Sequence, residues 1–211
     1  MQSISPEIIF RGNDAWDKAL PQIINLTKSP LILGRSNNTN NLRSKIFRDL
    51  ESKNLRVNSA NLQFDCCYED ITKVKNIILN NKHDSIIAAG GGKVLDSGKY
   101  IAESLNIPCI TIPLSASTCA GWTALSNIYT KNGQFIKDVA LRSCPKVLIF
   151  DHKFIKTAPP RTLASGIADA LAKWYESSIT SSTIDDGLVQ QAIQISRVLR
   201  DQLLIDGEKA Y

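Results

Sequence analysis

Short apolar runs alternate with segments of helical spacing along the first three quarters of the chain. Residues 85–89 read Ser-Ile-Ile-Ala-Ala, a run typical of a buried strand, whereas Leu42, Ile46 and Leu50 recur at the spacing of one helix face. The pattern predicts strands at 30–34, 55–64, 85–89, 108–113 and 147–151, and helices at 42–52, 71–79 and 94–105. This alternation predicts an α/β fold, in which a mostly parallel sheet is covered by helices.

The pattern changes after Pro159-Pro160, where the residue before each proline disfavours helix. Two helical segments follow, at 161–178 and 185–205, with no strand between them. The sequence therefore predicts an α/β domain at 1–159 and the beginning of an all-helical domain at 160–211. The second segment has a wide apolar face that no later residue of the sequence could cover, so we expect the helical domain to be truncated.

Composition and charge narrow the function classes. The net charge of +5 is scattered, because the densest basic cluster (Arg43, Lys45 and Arg48) is interrupted by apolar positions. We expect weak attraction of small anions and no nucleic-acid binding, which favours a basic stripe or patch. No stretch approaches the roughly 20 apolar residues that cross a bilayer, and residues 1–10 lack a secretory signal, so we expect no membrane partner. Five cysteines without a C-x-x-C pair indicate free thiols, and hence a cytoplasmic protein.

Three glycines and a lysine, Gly90 to Lys93, stand between a predicted strand and a predicted helix. Glycines let a ligand approach the backbone closely, and a helix N-terminus offers unpaired N–H groups, so this arrangement favours pyrophosphate binding. The alternative is a tight turn that binds nothing. Asp96 and Lys99 follow on one side of the helix, where by themselves they fit a solvated surface pair.

Three segments, in this order, resemble the iron-containing (group III) alcohol dehydrogenase and glycerol dehydrogenase superfamily, which is related in fold to dehydroquinate synthase. They are the glycine turn with Asp96 and Lys99, Ile-Pro-Leu-Ser-Ala-Ser-Thr at 112–118, and 158–171 with its Gly-Ile-Ala-Asp-Ala-Leu. Ser-Thr-Cys-Ala-Gly-Trp-Thr at 117–123 is most similar to the hydroxycarboxylate dehydrogenase branch. The resemblance spans essentially the whole chain and implies a Rossmann-like nucleotide-binding domain followed by a helical metal-binding domain.

The resemblance implies hydride transfer between NAD or NADP and a small alcohol or carbonyl substrate, assisted by iron or zinc. The implied cofactor-binding residues are Gly90, Gly91, Gly92, Lys93, Asp96, Ser117, Thr123, Leu125 and Tyr129. Asp169 is implied as the first metal ligand, although by itself it also fits a helix-surface pair with Lys173. Family members carry two histidine ligands further along, whereas His83 and His152 here both precede Asp169. Since a catalytic metal needs about three protein ligands, we expect weak nucleotide binding without turnover.

Two departures from the family pattern bear on the ligands. Cys119 stands where glycerol dehydrogenases carry an aspartate near the substrate, and with Trp122 it is the substrate-side candidate. Losing a carboxylate there suits an anionic substrate such as a 2-hydroxy acid. The turn after the first predicted strand reads Gly34-Arg35-Ser36 where NAD-preferring members have an aspartate. An arginine in this turn can accommodate a 2′-phosphate, so we predict NADP over NAD; the alternative is an exposed turn residue.

Two function classes follow from these features. The first is an oxidoreductase whose full-length form is a homo-oligomer that acts on a small carbonyl compound. The second is a non-catalytic nucleotide-binding or interaction protein that works at this length. A dehydroquinate synthase-like lyase is disfavoured, because 117–123 and 166–171 fit the dehydrogenases better.

Overall fold

The computed structural model describes residues 5–181 and 183–211, which divide into two compact units. The first unit consists of 5–115 and 119–157. The second consists of 158–211, apart from residue 182, together with the short segment 116–118.

A parallel sheet forms the centre of the first unit. The strands are β1 Ile8–Gly12, β2 Pro30–Gly34, β3 Asn58–Asn61, β4 Ser85–Gly90, β5 Cys109–Pro113, β6 Leu125–Tyr129, β7 Phe135–Ala140 and β8 Val147–Asp151. Six of these strands, within the described ranges, pair in the order β1-β8-β5-β4-β2-β3. β2, β4 and β5 are buried along their whole length, because helices cover both faces of a parallel sheet. β6 and β7 form a separate antiparallel hairpin.

Helices pack on both sides of the sheet. They are α1 Ala15–Leu26, α2 Asn40–Glu51, α3 Tyr68–Asn80, α4 Gly92–Leu105 and the short α5 His152–Ile155. Successive strand residues point to opposite faces, so Ile32 and Ile87 pack with α1 and α2. Leu31 and Ile86 contribute instead to the core beneath α3 and α4. The predicted α/β fold with flanking helices is confirmed.

Several element predictions need correction. The strand expected over 55–64 is only four residues long, because Asn58–Asn61 is a polar edge strand while Leu55 and Leu62 are buried in the connections that flank it. β1 and α1 were not predicted: β1 is a half-exposed edge strand, and Pro21 interrupts α1, although its apolar residues (Ala15, Trp16, Ala19 and Ile23) are buried on one face. The β6–β7 hairpin was also missed, because β7 is almost wholly exposed and carries no apolar alternation.

The second unit is built on two long helices, α6 Pro160–Thr180 and α7 Gly187–Ala210. The Arg200 guanidinium of α7 lies 3.9 Å from the centre of the Trp174 ring of α6, a cation–π contact between the two helices. The other face of α7 is open, as predicted: Leu188 is 75% exposed and Ile195 69%. In the described ranges, no helix combines the length and the apolar character that crossing a bilayer requires.

Candidate functional site

The glycine turn joins β4 to α4. Gly90 ends the strand, and a Cβ there would lie 2.8 Å from the Val94 side chain, so close packing requires glycine. Gly91 precedes the first turn of α4, and a Cβ added to it would meet only Ser115 Oγ, at 3.8 Å. Packing within the protein therefore does not explain a glycine at 91, whereas an open approach to the backbone does.

A cavity of about 190 Å³ connects the glycine turn with the turn after β2. Its lining includes Gly90, Gly91, Gly92 and Lys93 from one side and Arg35, Ser36 and Thr39 from the other. The two turns meet because β2 and β4 are parallel neighbours, whose carboxyl ends share one edge of the sheet. A larger cavity of about 510 Å³, around Cys109 and Lys146, contains none of the predicted site residues.

Lys93 is held by an aspartate that the sequence analysis did not identify. Its ammonium forms an ion pair with the carboxylate of Asp65, which is 3% exposed and also accepts a 2.8 Å hydrogen bond from the Cys66 amide. Nearby, Arg35 Nε donates to the Phe64 carbonyl oxygen over 2.9 Å. Both predicted cations therefore contact the loop 62–67. In the sequence, the signal for this contact was Asp65, a single acidic residue in a mostly apolar stretch.

Asp96 and Lys99 are buried, which makes the interpretation as a solvated surface pair wrong. Their side chains are 9% and 2% exposed, and the charged atoms are 3.0 Å apart. The β6–β7 hairpin covers this face of α4, and Lys99 donates to the carbonyl oxygens of Thr123 (3.1 Å) and Leu125. Burial raises the pKa of Asp96, and the neighbouring ammonium partly offsets the rise. Contact of Asp96 with a cofactor stays a prediction.

The Asp96–Lys99 pair positions the residues predicted for the nicotinamide side. Thr123 offers its hydroxyl oxygen to the same ammonium at 3.2 Å, and Leu125 begins β6. The amide of Tyr129 donates to the Cys66 carbonyl oxygen over 2.9 Å, so the far end of β6 is tied to the loop that holds Lys93. Burial raises the pKa of Tyr129.

The substrate-side candidates lie in a turn at the carboxyl ends of β5 and β8. Cys119 is exposed, and its carbonyl oxygen accepts a 2.9 Å hydrogen bond from the Trp122 amide. The turn lies close to the sheet, because a Cβ on Gly121 would lie 2.7 Å from the Pro113 ring. The Trp122 ring packs on Phe150 with centroids 5.1 Å apart. Cys119 and Trp122 are thus neighbours at the sheet edge that also carries the glycine turn.

Ser117 and Asp169 belong to the second unit, and their predicted roles stay predictions. Asp169 lies on α6, with its carboxylate 3.4 Å from the Lys173 ammonium and its side chain 43% exposed. Within 5–181 and 183–211, no three or more histidine, cysteine, aspartate or glutamate residues come together to hold a metal ion. The described residues therefore do not fit a catalytic metal by themselves.

Comparison with known proteins identifies the family. The chain matches the family model for iron-containing alcohol dehydrogenases over residues 6–152, a range that includes the glycine turn and ends before Asp169. The chain belongs to this family. The resemblance inferred from the three sequence segments is thereby confirmed.

Individual relatives extend the likeness over almost the whole chain. An uncharacterized oxidoreductase of Synechocystis is 37% identical over 99% of this chain and 54% of its own length. Glycerol dehydrogenase of Escherichia coli is 31% identical over 98% and 58%. The crystal structure of a probable glycerol dehydrogenase from Sinorhizobium meliloti superposes with a TM-score of 0.81 at 26% identity, over 100% of this chain and 59% of the other. The chain thus spans a little over half the length of these relatives.

Proposed function

We propose that this chain is the nucleotide-binding part of an NAD(P)-dependent alcohol dehydrogenase of the iron-containing family. The observation that carries the proposal is the cavity at the carboxyl edge of the sheet, where the glycine turn and Arg35 face one another. An open glycine, a helix N-terminus and two cations suit a dinucleotide, whose pyrophosphate is anionic.

These contacts support the following proposed cofactor roles. The backbone at Gly91 and Gly92 and the ammonium of Lys93 bind the pyrophosphate, while Arg35 binds a ribose 2′-phosphate, which favours NADP over NAD. Thr123, which precedes β6, and Leu125 and Tyr129, which begin and end it, orient the nicotinamide. When bound, the nicotinamide supplies the hydride acceptor or donor.

The substrate is a small alcohol or carbonyl compound, glycerol-like or a 2-hydroxy acid, that lies beside Cys119 and Trp122. Aromatic packing of Trp122 on Phe150 gives this side an apolar wall, and Cys119 adds no negative charge against an anionic substrate. Asp169 supplies one ligand to iron or zinc, and two further ligands come from residues outside this sequence. The full-length protein works as a homo-oligomer in the cytoplasm.

Gly91→Val tests the nucleotide site without disturbing the fold. A Cβ at this position has room in the protein, and the valine side chain occupies the approach to the backbone, so ADP binding should weaken at least tenfold while the melting temperature stays unchanged. Isothermal titration calorimetry on the 211-residue chain measures the affinity. Gly187→Ala is the matched control, because nothing lies within 4 Å of its Cβ and no ligand is expected there. Equal ADP affinity in wild type and Gly91→Val would refute the site.

A second candidate function is a non-catalytic nucleotide-binding or interaction protein. It is supported by the lack, in the described ranges, of any group of three or more metal-ligating side chains. The protein purified from its native source is mixed with Fe²⁺ or Zn²⁺, NADP⁺ and either glycerol or a 2-hydroxy acid, and the absorbance of reduced nicotinamide is followed. Turnover supports the dehydrogenase, whereas nucleotide binding without turnover, in a native protein of this same length, supports the second candidate.

A further inference from the structure

Arg43 is a buried arginine beside the cofactor cavity that no step of the proposed function uses. It lies on α2, is 6% exposed, and its guanidinium rests against Gly34 at the end of β2. A Cβ at Gly34 would lie 2.5 Å from Arg43 Cζ, so only glycine at this position leaves room for the Arg43 side chain. Glycine at position 34 therefore leaves the space in which Arg43 brings a positive charge to the turn.

The charge of Arg43 has no counter-ion in the described part of the chain. The guanidinium donates to the carbonyl oxygen of Ser36 over 2.8 Å and to the hydroxyl of Thr39, both of which are neutral. These bonds use two of its five N–H groups. Burial lowers the pKa of Arg43, as expected for a desolvated cation without a carboxylate partner. A buried charge ordinarily has a partner, so an anionic ligand would complete this site.

The surroundings of Arg43 suit an anion. A cavity of about 330 Å³ between α2 and β3 has two guanidiniums, other polar groups and two apolar side chains in its lining, and no carboxylate; these residues are Arg43, Arg48, Asn40, Ser44, Ser59, Asn61, Ile32 and Phe47. Arginines, hydroxyls and side-chain amides are the groups that bind phosphate oxygens. Asn61 pairs in register with Gly34, so this cavity begins at the turn whose next residues, Arg35 and Ser36, line the cofactor cavity.

We propose that Arg43 and the α2–β3 cavity form the back of a phosphomonoester site, whose ligand is the 2′-phosphate of an adenosine ribose. This inference rests on the proposed function, because the adenosine must lie between the glycine turn and the turn after β2. Arg35 is exposed and approaches the phosphate from solvent, whereas Arg43 approaches it from within the protein. Arg43 is then a specificity-determining residue for NADP.

Calorimetric titrations of the 211-residue chain with three probes test the inference without turnover. The probes are adenosine 2′,5′-bisphosphate, adenosine 5′-monophosphate and inorganic phosphate. Wild type should bind the bisphosphate at least tenfold more tightly than the monophosphate, and free phosphate only weakly. Arg43→Gln should reduce that ratio to below threefold without changing monophosphate affinity. Arg43→Lys keeps the charge but not the planar fork, so its ratio should be intermediate. Arg197→Gln removes an exposed arginine elsewhere and should leave the ratio unchanged.

The outcomes separate this inference from the proposed function. If wild type binds neither nucleotide, the proposed function fails. If it binds both equally, the nucleotide site stands and the 2′-phosphate site is wrong. Equal losses for both nucleotides in Arg43→Gln would make Arg43 a structural residue only, and tight binding of free phosphate would make the cavity a general phosphate site. If Arg43→Gln does not fold, the wild-type ratio and the Arg43→Lys ratio decide the question.

Discussion

Replacing Lys99 by methionine tests whether a buried ion pair holds the β6–β7 hairpin on α4. Methionine preserves most of the length of the lysine side chain and removes the charge. In the variant, the Asp96 carboxylate stays buried without its counter-ion, and the carbonyl oxygens of Thr123 and Leu125 lose a donor. The segment that carries the proposed nicotinamide-side residues would lose its bonds to Lys99 and keep those that Ser126 and Asn127 donate to Asp96.

The structure sets the expected size of the effect. Removing one partner of a buried ion pair costs about 3–5 kcal/mol, and a buried acceptor without a donor costs about 1–3 kcal/mol. Because one ammonium makes all of these contacts, the losses overlap, and we expect a total of about 4 kcal/mol. That is a large part of the roughly 5–15 kcal/mol by which most proteins are stable. Adding Asp96→Asn removes the orphaned charge and should recover about half of the loss.

Urea unfolding of the full chain, followed by circular dichroism and tryptophan fluorescence, measures the free energy of unfolding. Burial already raises the pKa of Asp96, and losing Lys99 raises it further, so the folded variant binds a proton more readily than the unfolded one. The deficit should therefore be largest near neutral pH and shrink as the solution becomes acidic. Lys73→Met, on the exposed face of α3, is the matched control, with a change within about 0.5 kcal/mol. A loss below about 1 kcal/mol for Lys99→Met, or one independent of pH, would refute the reasoning.

Three further predictions concern stability and association. Gly166→Ala should destabilise the second unit by at least about 2 kcal/mol in a thermal melt, because its Cβ would overlap a carbonyl group of segment 116–118, whereas Gly187→Ala should be neutral. Burial lowers the pKa of His83, so the free energy of unfolding should fall as pH drops below about 6.5, and His83→Gln should flatten that slope. Leu188→Gln, on the open face of α7, should reduce light scattering of the isolated chain without lowering its melting temperature.

The pattern of apolar residues along the chain predicted the strands that are buried and that end at a turn. β2, β4, β5 and β8 are short apolar runs, and each appears within a residue or two of its expected bounds. β1 and β3 lie at the sheet edges and β7 in the separate hairpin, where one or both faces meet water and the apolar signal is lost. Sequence periodicity reports burial, so it is weakest where an element is held mainly by backbone hydrogen bonds.

The residues of the candidate site likewise divide into those that the sequence identified and those that it did not. Gly91 and Lys93 were identified from the sequence, because a glycine-rich turn before a helix is a local arrangement with a local chemical meaning. Asp65 and Arg43 were not, although the first binds Lys93 and the second lies behind the turn of Arg35. Their importance depends on which distant residue each one meets, and no spacing along the chain carries that information.

The sequence by itself determined the α/β class, the glycine turn and the family to which the chain belongs, because these depend on neighbouring residues and ordered motifs. Only the tertiary structure decided that Asp96 and Lys99 are a buried pair, that Lys93 is bound by a carboxylate, and that Arg43 is buried with no carboxylate partner among the described residues. The physical reason is burial: the same charged side chain is nearly neutral to stability in water and worth several kcal/mol inside the protein, on the order of 3–5 kcal/mol for a broken pair. Which of these two environments a charged side chain occupies depends on the residues that folding brings around it, and those residues are distant along the chain.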